Sequence, residues 1–136
     1  MAQKLTMGNV KACPINNTFQ IIGKKFAILI LRNMLLYKQT RFNQFLESVE
    51  GINSRTLSLR LRQLESSGII KRQVIPKIPI KIEYSLTEKG KSLIPILEQM
   101  GEFSTQHCPN DVFKDKKPRP FKQVMTAIDD SLDGKH

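Results

Sequence analysis

Through most of the chain, apolar residues recur at helical spacing, in blocks separated by glycine, proline or a polar cap. Pro14 opens a short helix that reaches Ile21 and stops at Gly23. Residues 24–36 read KKFAILILRNMLL. Phe26, Leu29, Ile30 and Asn33 fall on one face, and Leu31, Met34 and Leu35 widen the apolar arc, which predicts a helix buried on most sides. Thr40 is expected to cap the next helix, RFNQFLESV, where Phe42, Phe45, Leu46 and Val49 follow the i, i+3, i+4, i+7 rule. Gly51 breaks the pattern. Asn53 or Ser54 is expected to cap a helix running to about Ser67, ended by Gly68, with Leu57, Leu61 and Leu64 inside. Two amphipathic helices joined by a tight glycine-containing break form a helix-turn-helix.

After Gly68 the period changes. Ile69 to Ile75 is short and rich in β-formers, Pro76 and Pro79 bracket a turn, and Lys81 to Leu86 alternates as KIEYSL. A β-hairpin with a basic tip is predicted. Thr87 is expected to cap a helix reaching about His107, with Leu93, Ile96, Leu97, Met100 and Phe103 as its stripe. Pro95 inside it implies a kink or a later start. The stretch KDKKPRP, residues 114–120, reads as a linker, and Phe121, Val124, Met125, Ile128 and Leu132 then mark a terminal helix. The fold class is α+β, mostly α: a winged helix-turn-helix. Residues 1–12 are expected to form a flexible segment, 13–107 the winged domain, and 108–136 a linker and C-terminal helix.

Charge sharpens the picture by its placement. Between Lys24 and Lys81 stand twelve Lys or Arg and three acids, Glu47, Glu50 and Glu65, within a chain of net charge +10. A basic block confined to the middle of the chain suits a polyanion partner. On the helix begun by Ser54, the inner stripe leaves Arg55, Ser58, Leu59 and Arg62 on the opposite face. Such a face can enter a major groove: Arg gives two parallel hydrogen bonds to guanine, Ser donates or accepts, and Leu touches a thymine methyl. Ser54, Arg55 and Thr56 lie in the N-terminal turn, which goes deepest and whose dipole suits a phosphate. The hairpin adds Lys71, Arg72, Lys77 and Lys81, of which Lys77 and Lys81 are the expected contacts to backbone or minor groove. Lys38 and Arg41, before the preceding helix, are candidate phosphate clamps. Arg60 and Lys25 are weaker candidates, because their faces turn toward the domain. The bland alternative for each is a solvated charged face.

Other chemistries find little support. Cys13 and Cys108 are too far apart in sequence for a disulfide framework or a zinc site, and His107 and His136 make no metal-ligand spacing. No nucleophile–base pair or phosphate loop is legible, so an enzyme is not expected and no cofactor is implied. The apolar run from Ala27 to Leu36 is interrupted by Arg32 and Asn33 and is too short to span a bilayer. Without a signal peptide, a cytoplasmic protein is expected.

The residues also carry a resemblance. Cys13-Pro14, the run Ile22-Gly23-Lys24-Lys25-Phe26 leading to Leu29-Ile30-Leu31-Arg32, Arg41-Phe42-Asn43 and Phe45 resemble the HxlR-type winged helix regulators. So do Gly51-Ile52, Leu57, Arg60-Leu61-Arg62, Leu64-Glu65, Gly68, Pro76, Pro79, Glu83-Tyr84-Ser85-Leu86-Thr87 and Gly90. The string covers residues 12–106 in order. It departs from the family at Phe26, where Trp is usual, at Leu59, usually polar, and at Ile80, usually Pro. The resemblance implies a prokaryotic, MarR-like homodimer whose flanking helices form the dimer interface, here through Leu93, Leu97, Met100 and Phe103. It implies binding to near-palindromic double-stranded operators, mostly as a repressor. In one branch a cysteine matching Cys13 senses oxidants. Cys13 stands at a helix start near Lys11, and such surroundings favour a thiolate, so it is a candidate redox sensor; the alternative is a small interface residue. The effector is not legible. Two other functions compete: a winged helix used for protein interaction, favoured by the apolar terminal helix, and non-specific architectural DNA binding.

Overall fold

The computed structural model describes residues 4–134, so His136 and the first three residues of the expected flexible segment lie outside the described residues. The described part of that segment holds a single 3-10 turn, Met7–Asn9. Then follow α1 (Pro14–Ile22), α2 (Ala27–Leu36), α3 (Phe42–Ser48) and α4 (Ser54–Ser66). Strands β1 (Ile70–Ile75) and β2 (Lys81–Leu86) precede α5 (Glu88–Lys91), α6 (Ile94–His107), α7 (Pro109–Val112) and α8 (Phe121–Asp133). The strands form one antiparallel hairpin in which Ile70 faces Leu86 and Arg72 faces Tyr84. This is a winged helix-turn-helix.

The core is aliphatic with one aromatic pair. Ile30 and Leu31 of α2, Phe45 of α3, Leu57, Leu61 and Leu64 of α4, and Ile69 and Ile70 are almost fully enclosed. The Phe45 and Tyr84 rings meet edge to face, with centroids 6.4 Å apart. Burying the aliphatic side chains, at about 25 cal/mol per Å² of apolar surface, is what holds three short helices and a two-stranded hairpin together, since neither a short helix nor a lone hairpin is stable in water.

Local chemistry sets the boundaries, and here some expectations are corrected. Helix α2 begins at Ala27 rather than Lys24, because Phe26 takes a left-handed backbone (φ 73°). A bulky residue rarely adopts that conformation. Its ring packs 4.0 Å from the position of a Cβ on Gly51, itself left-handed at φ 78°, so α2 and the helix-turn-helix break are joined at one contact. The inward face of α2 is Ala27, Ile30, Leu31, Asn33 and Met34, while Leu29 is only partly covered. Thr40 is not the cap of α3. Arg41 holds that position, and the Gln44 carboxamide accepts the backbone N–H groups of both Thr40 (2.8 Å) and Arg41 (3.0 Å). Asn53, the first of the two alternatives, caps α4 by accepting from the Thr56 N–H at 2.8 Å. At the far end Ile69 N donates to Leu64 O and Gly68 N to Glu65 O, both 2.9 Å, a C-terminal closure that needs the left-handed Gly68 (φ 75°). The helix expected from Thr87 to His107 is two helices: the chain turns at Ser92 and Leu93, and Pro95 sits in the first turn of α6, where its missing N–H costs nothing.

The C-terminal segment is packed onto its own chain. The Phe121 ring lies against Gly101, where a Cβ would stand 2.6 Å from ring carbons. The Phe121 N–H donates to the Glu102 carboxylate at 2.9 Å, and Arg119 N donates to Thr105 O at 3.3 Å. The expected linker is a compact loop: Arg119 pairs with Asp115 and lies 4.1 Å over the Phe113 ring.

Candidate nucleic-acid interface

Helix α4 owes its two faces to its spacing. Leu57, Leu61 and Leu64 are sunk in the core, which forces Arg55, Leu59 and Arg62 outward; Leu59 stays 43% exposed. Ser54 is exposed at the start of the helix, and Thr56 and Ser58 are half-buried. Arg55 and Arg62 form no ion pair or side-chain hydrogen bond among the described residues, so their donors face solvent. A guanidinium held this way can serve a base edge or a phosphate.

Beside that face opens a cleft of about 590 Å³, between α4 and the hairpin. Ser58, Arg62 and Glu65 form one wall and Arg72 and Tyr84 another. Arg72 reaches it because it pairs across the ladder with Tyr84, so both project on the same side of the sheet. The hairpin is fixed there by the Tyr84 N–H, which donates to Thr40 O at 2.8 Å and ties β2 to the segment before α3. The sequence reading grouped Arg72 with the general charge of the hairpin and missed its place beside Arg62. Alternation along β1 was the available signal, but only the strand register says which face meets α4.

The other candidates divide. Lys77 is exposed at the turn and Arg41 is exposed at the head of α3. Lys81 is partly neutralised by Glu83, 3.1 Å away, and is the weakest of the set. Lys38 has a left-handed backbone (φ 56°), donates to Leu35 O at 3.0 Å, and lines a separate cleft with Lys71 and Lys91. Arg60 is structural: its Nε donates to Lys25 O at 2.8 Å and its Nη1 to Gln63 Oε1 at 3.0 Å, joining α4 to the turn before α2.

Cys13 is exposed at the N-terminus of α1, and both cysteines are free. Of the residues expected at a dimer interface, Leu93 is committed to the core of its own chain and Leu97 packs partly against it. Met100 and Phe103 are 50% and 62% exposed, with Ile96 beside them at 40%. Phe19 on α1 is 64% exposed as well. Among the described residues no helix is long and apolar enough to cross a membrane, and no group of three His, Cys, Asp or Glu could hold a metal ion.

Comparison with known proteins places this geometry. The HxlR-like helix-turn-helix family matches residues 21–112. An HTH-type transcriptional regulator of Synechocystis is 46% identical over 88 residues, which cover 65% of this chain and 64% of that relative, slightly under two thirds of its length. The redox regulator HypR in its oxidised form superposes with a TM-score of 0.62 at 40% identity, covering 68% of this chain and 94% of that one. The reduced form of the transcriptional regulator YodB from Bacillus subtilis does so with a TM-score of 0.61 at 34% identity, over 71% and 95% of the two chains.

Proposed function

The chain belongs to the HxlR-like helix-turn-helix family of transcriptional regulators, and from that premise we propose that it is a homodimeric repressor of the cytoplasm that reads a near-palindromic operator. The observation that carries the reading is the outer face of α4. Arg55, Leu59 and Arg62 stand free on a helix whose other side is locked in the core. A helix held that way presents its side chains to a major groove without a further backbone ordering cost, and the neighbouring Arg72 can take an adjacent phosphate. Ser54, Thr56 and Ser58 complete the reading turn, and Arg41, Lys77 and Lys38 are assigned to the DNA backbone, with Lys81 a minor contributor. Two copies would join through the exposed Met100 and Phe103 of α6 and through α1, setting the two reading helices one DNA turn apart.

The test is fluorescence anisotropy of the reduced protein on its own upstream DNA and on a scrambled duplex, across salt concentrations. Preference for the upstream duplex by about a thousandfold, with a steep salt slope, is expected. Equal affinity for both duplexes favours an architectural role, and no binding at low salt removes the DNA reading.

A second reading concerns Cys13. It is solvent-exposed at the head of α1, whose Ile15 and Phe19 are also exposed, and two of the similar structures are a redox regulator and a diamide-treated regulator. Oxidation or alkylation of Cys13 would alter the dimer surface and lower operator affinity. Diamide should release the wild-type protein from its operator and leave Cys13→Ser bound; equal response of the two proteins excludes the sensor.

A further inference from the structure

The loop that joins β1 to β2, residues 76–80, reads Pro76-Lys77-Ile78-Pro79-Ile80: four apolar residues and one lysine at the tip of the hairpin. Ile78 is 103% exposed, the most exposed large apolar side chain among the described residues, and Ile80 is 70% exposed. A single exposed apolar residue is ordinary on a protein surface. Two isoleucines on one short loop are not, because turns are normally built from small and polar residues that water solvates. Ile15, Phe19, Met100 and Phe103 are also exposed, but they lie on α1 and α6, where two copies would join. A phosphate contact through Lys77 leaves both tip isoleucines without a role.

The tip is stiff, and the fold aims it. Pro76 and Pro79 each fix their own φ at about −65° and restrict the residue before them. The Lys77 N–H donates to Ile75 O at 2.8 Å and closes the start of the loop. An unbroken ladder from Ile70–Leu86 to Ile75–Lys81 carries the loop, and the Tyr84 N–H anchors that ladder on Thr40 O at 2.8 Å. Arg72 marks where β1 borders the α4 cleft, and the three residues from there to Ile75 advance the strand by about 10 Å. A major groove is about 12 Å wide, so with α4 seated in one, that strand and its loop reach the minor groove beside it. Charge suits the same partner. Lys77 is the loop's one charged residue, and the nearest acid in sequence, Glu83, is paired with Lys81 at 3.1 Å.

An apolar side chain at a minor groove can do what a lysine cannot. It can enter between two base pairs, part their stacking and bend the duplex toward the major groove, and isoleucine and proline are among the residues that act this way. We propose that the wing tip is such a wedge: Ile78, backed by Pro79 and Ile80, inserts at one base step of the minor groove beside each half-site and bends the operator there. Lys77 holds an adjoining phosphate. Opening a step is least costly where a pyrimidine precedes a purine. The wedge therefore selects a flexible TA or CA step at a position that no side chain reads by hydrogen bonds. This inference rests on the operator-binding reading, and adds to it a bend and a second determinant of sequence.

The test uses the full-length reduced protein on its own upstream DNA, with 2-aminopurine replacing single adenines in turn across the protected segment and its flanks. This base brightens when its neighbours unstack. Brightening at one step on each side of the site is expected, together with a shorter end-to-end distance by energy transfer between dyes on the duplex ends. On saturated operator, Ile78→Ser should lose both signals and Ile78→Leu should keep both, with circular dichroism confirming the fold of each. Changing the step from TA to a stiff AA should lower wild-type affinity by about tenfold and leave Ile78→Ser nearly unchanged. Saturated binding without brightening or bending overturns the wedge and leaves the operator reading standing, as does an Ile78→Ser protein that unstacks and bends DNA like the wild type. Ile78-dependent sedimentation with phosphatidylserine vesicles, while bound DNA stays straight, also overturns it and reassigns the tip to a lipid surface. No binding to any duplex at low salt removes the operator reading and the wedge with it.

Discussion

At the scale of single residues, the division of labour among arginines is the main result. Arg60 spends its donors inside the protein, on Lys25 O and Gln63, whereas Arg55, Arg62 and Arg72 make no side-chain hydrogen bond or ion pair among the described residues. Removing Arg62 or Arg55 should therefore weaken operator binding by about 1–3 kcal/mol and relax base preference, if each meets a base edge. Arg72→Ala should weaken all duplexes alike and lower the salt slope by about one, as expected of a phosphate contact. Anisotropy on operator and scrambled duplexes at several salt concentrations separates the two patterns. An Arg72 variant that loses specificity instead would reassign it to base reading. The exposed basic face of α4 was legible in the sequence because Leu57, Leu61 and Leu64 fix which side of the helix is inside. Arg72 was not, because a strand's facing depends on register.

At the scale of elements, short helices rely on their ends. Helix α4 has thirteen residues and is closed by Asn53 at one end and Gly68 at the other. Asn53→Ala leaves the Thr56 N–H without its partner and should lower stability by about 1 kcal/mol in denaturant unfolding, without changing the denaturant slope. An unchanged midpoint would mean that water or Ser54 replaces the cap. Leu61→Ala opens a hole under the same helix and should cost about 2–5 kcal/mol. The caps at Asn53 and Gly68 were readable from the sequence, since both act within a few residues. The true head of α2 was not: the left-handed Phe26 is held by its contact with Gly51, far along the chain.

At the scale of the whole molecule, the Phe121 ring and the Glu102 carboxylate help tie the C-terminal helix to the domain. The Phe121 N–H, and then the Gln106 side chain, hold the Glu102 carboxyl below the usual glutamate range. A carboxyl lowered in the folded state lends its support to α8 above the ordinary glutamate pKa, and that support is lost as pH falls through the lowered value. The methyl resonances of Val124 and Met125 should therefore shift in acid as α8 loosens, while in Glu102→Gln they should stay flat with pH. Identical profiles in the two proteins would place the acid response elsewhere.

The sequence by itself determined the order of elements, the inner stripes of α3 and α4, the hairpin and the exposed basic face of α4. Each is written in spacing and local chemistry, which act over a few residues. The tertiary structure alone decided what lay in long-range contacts. It placed Leu93 in the core of its own chain, and split one expected helix at Ser92 and Leu93. It laid the apolar terminal helix on Gly101. A stripe of apolar residues states that a face must be covered, because leaving it in water is unfavourable. Which surface covers it depends on shapes brought together from distant parts of the chain.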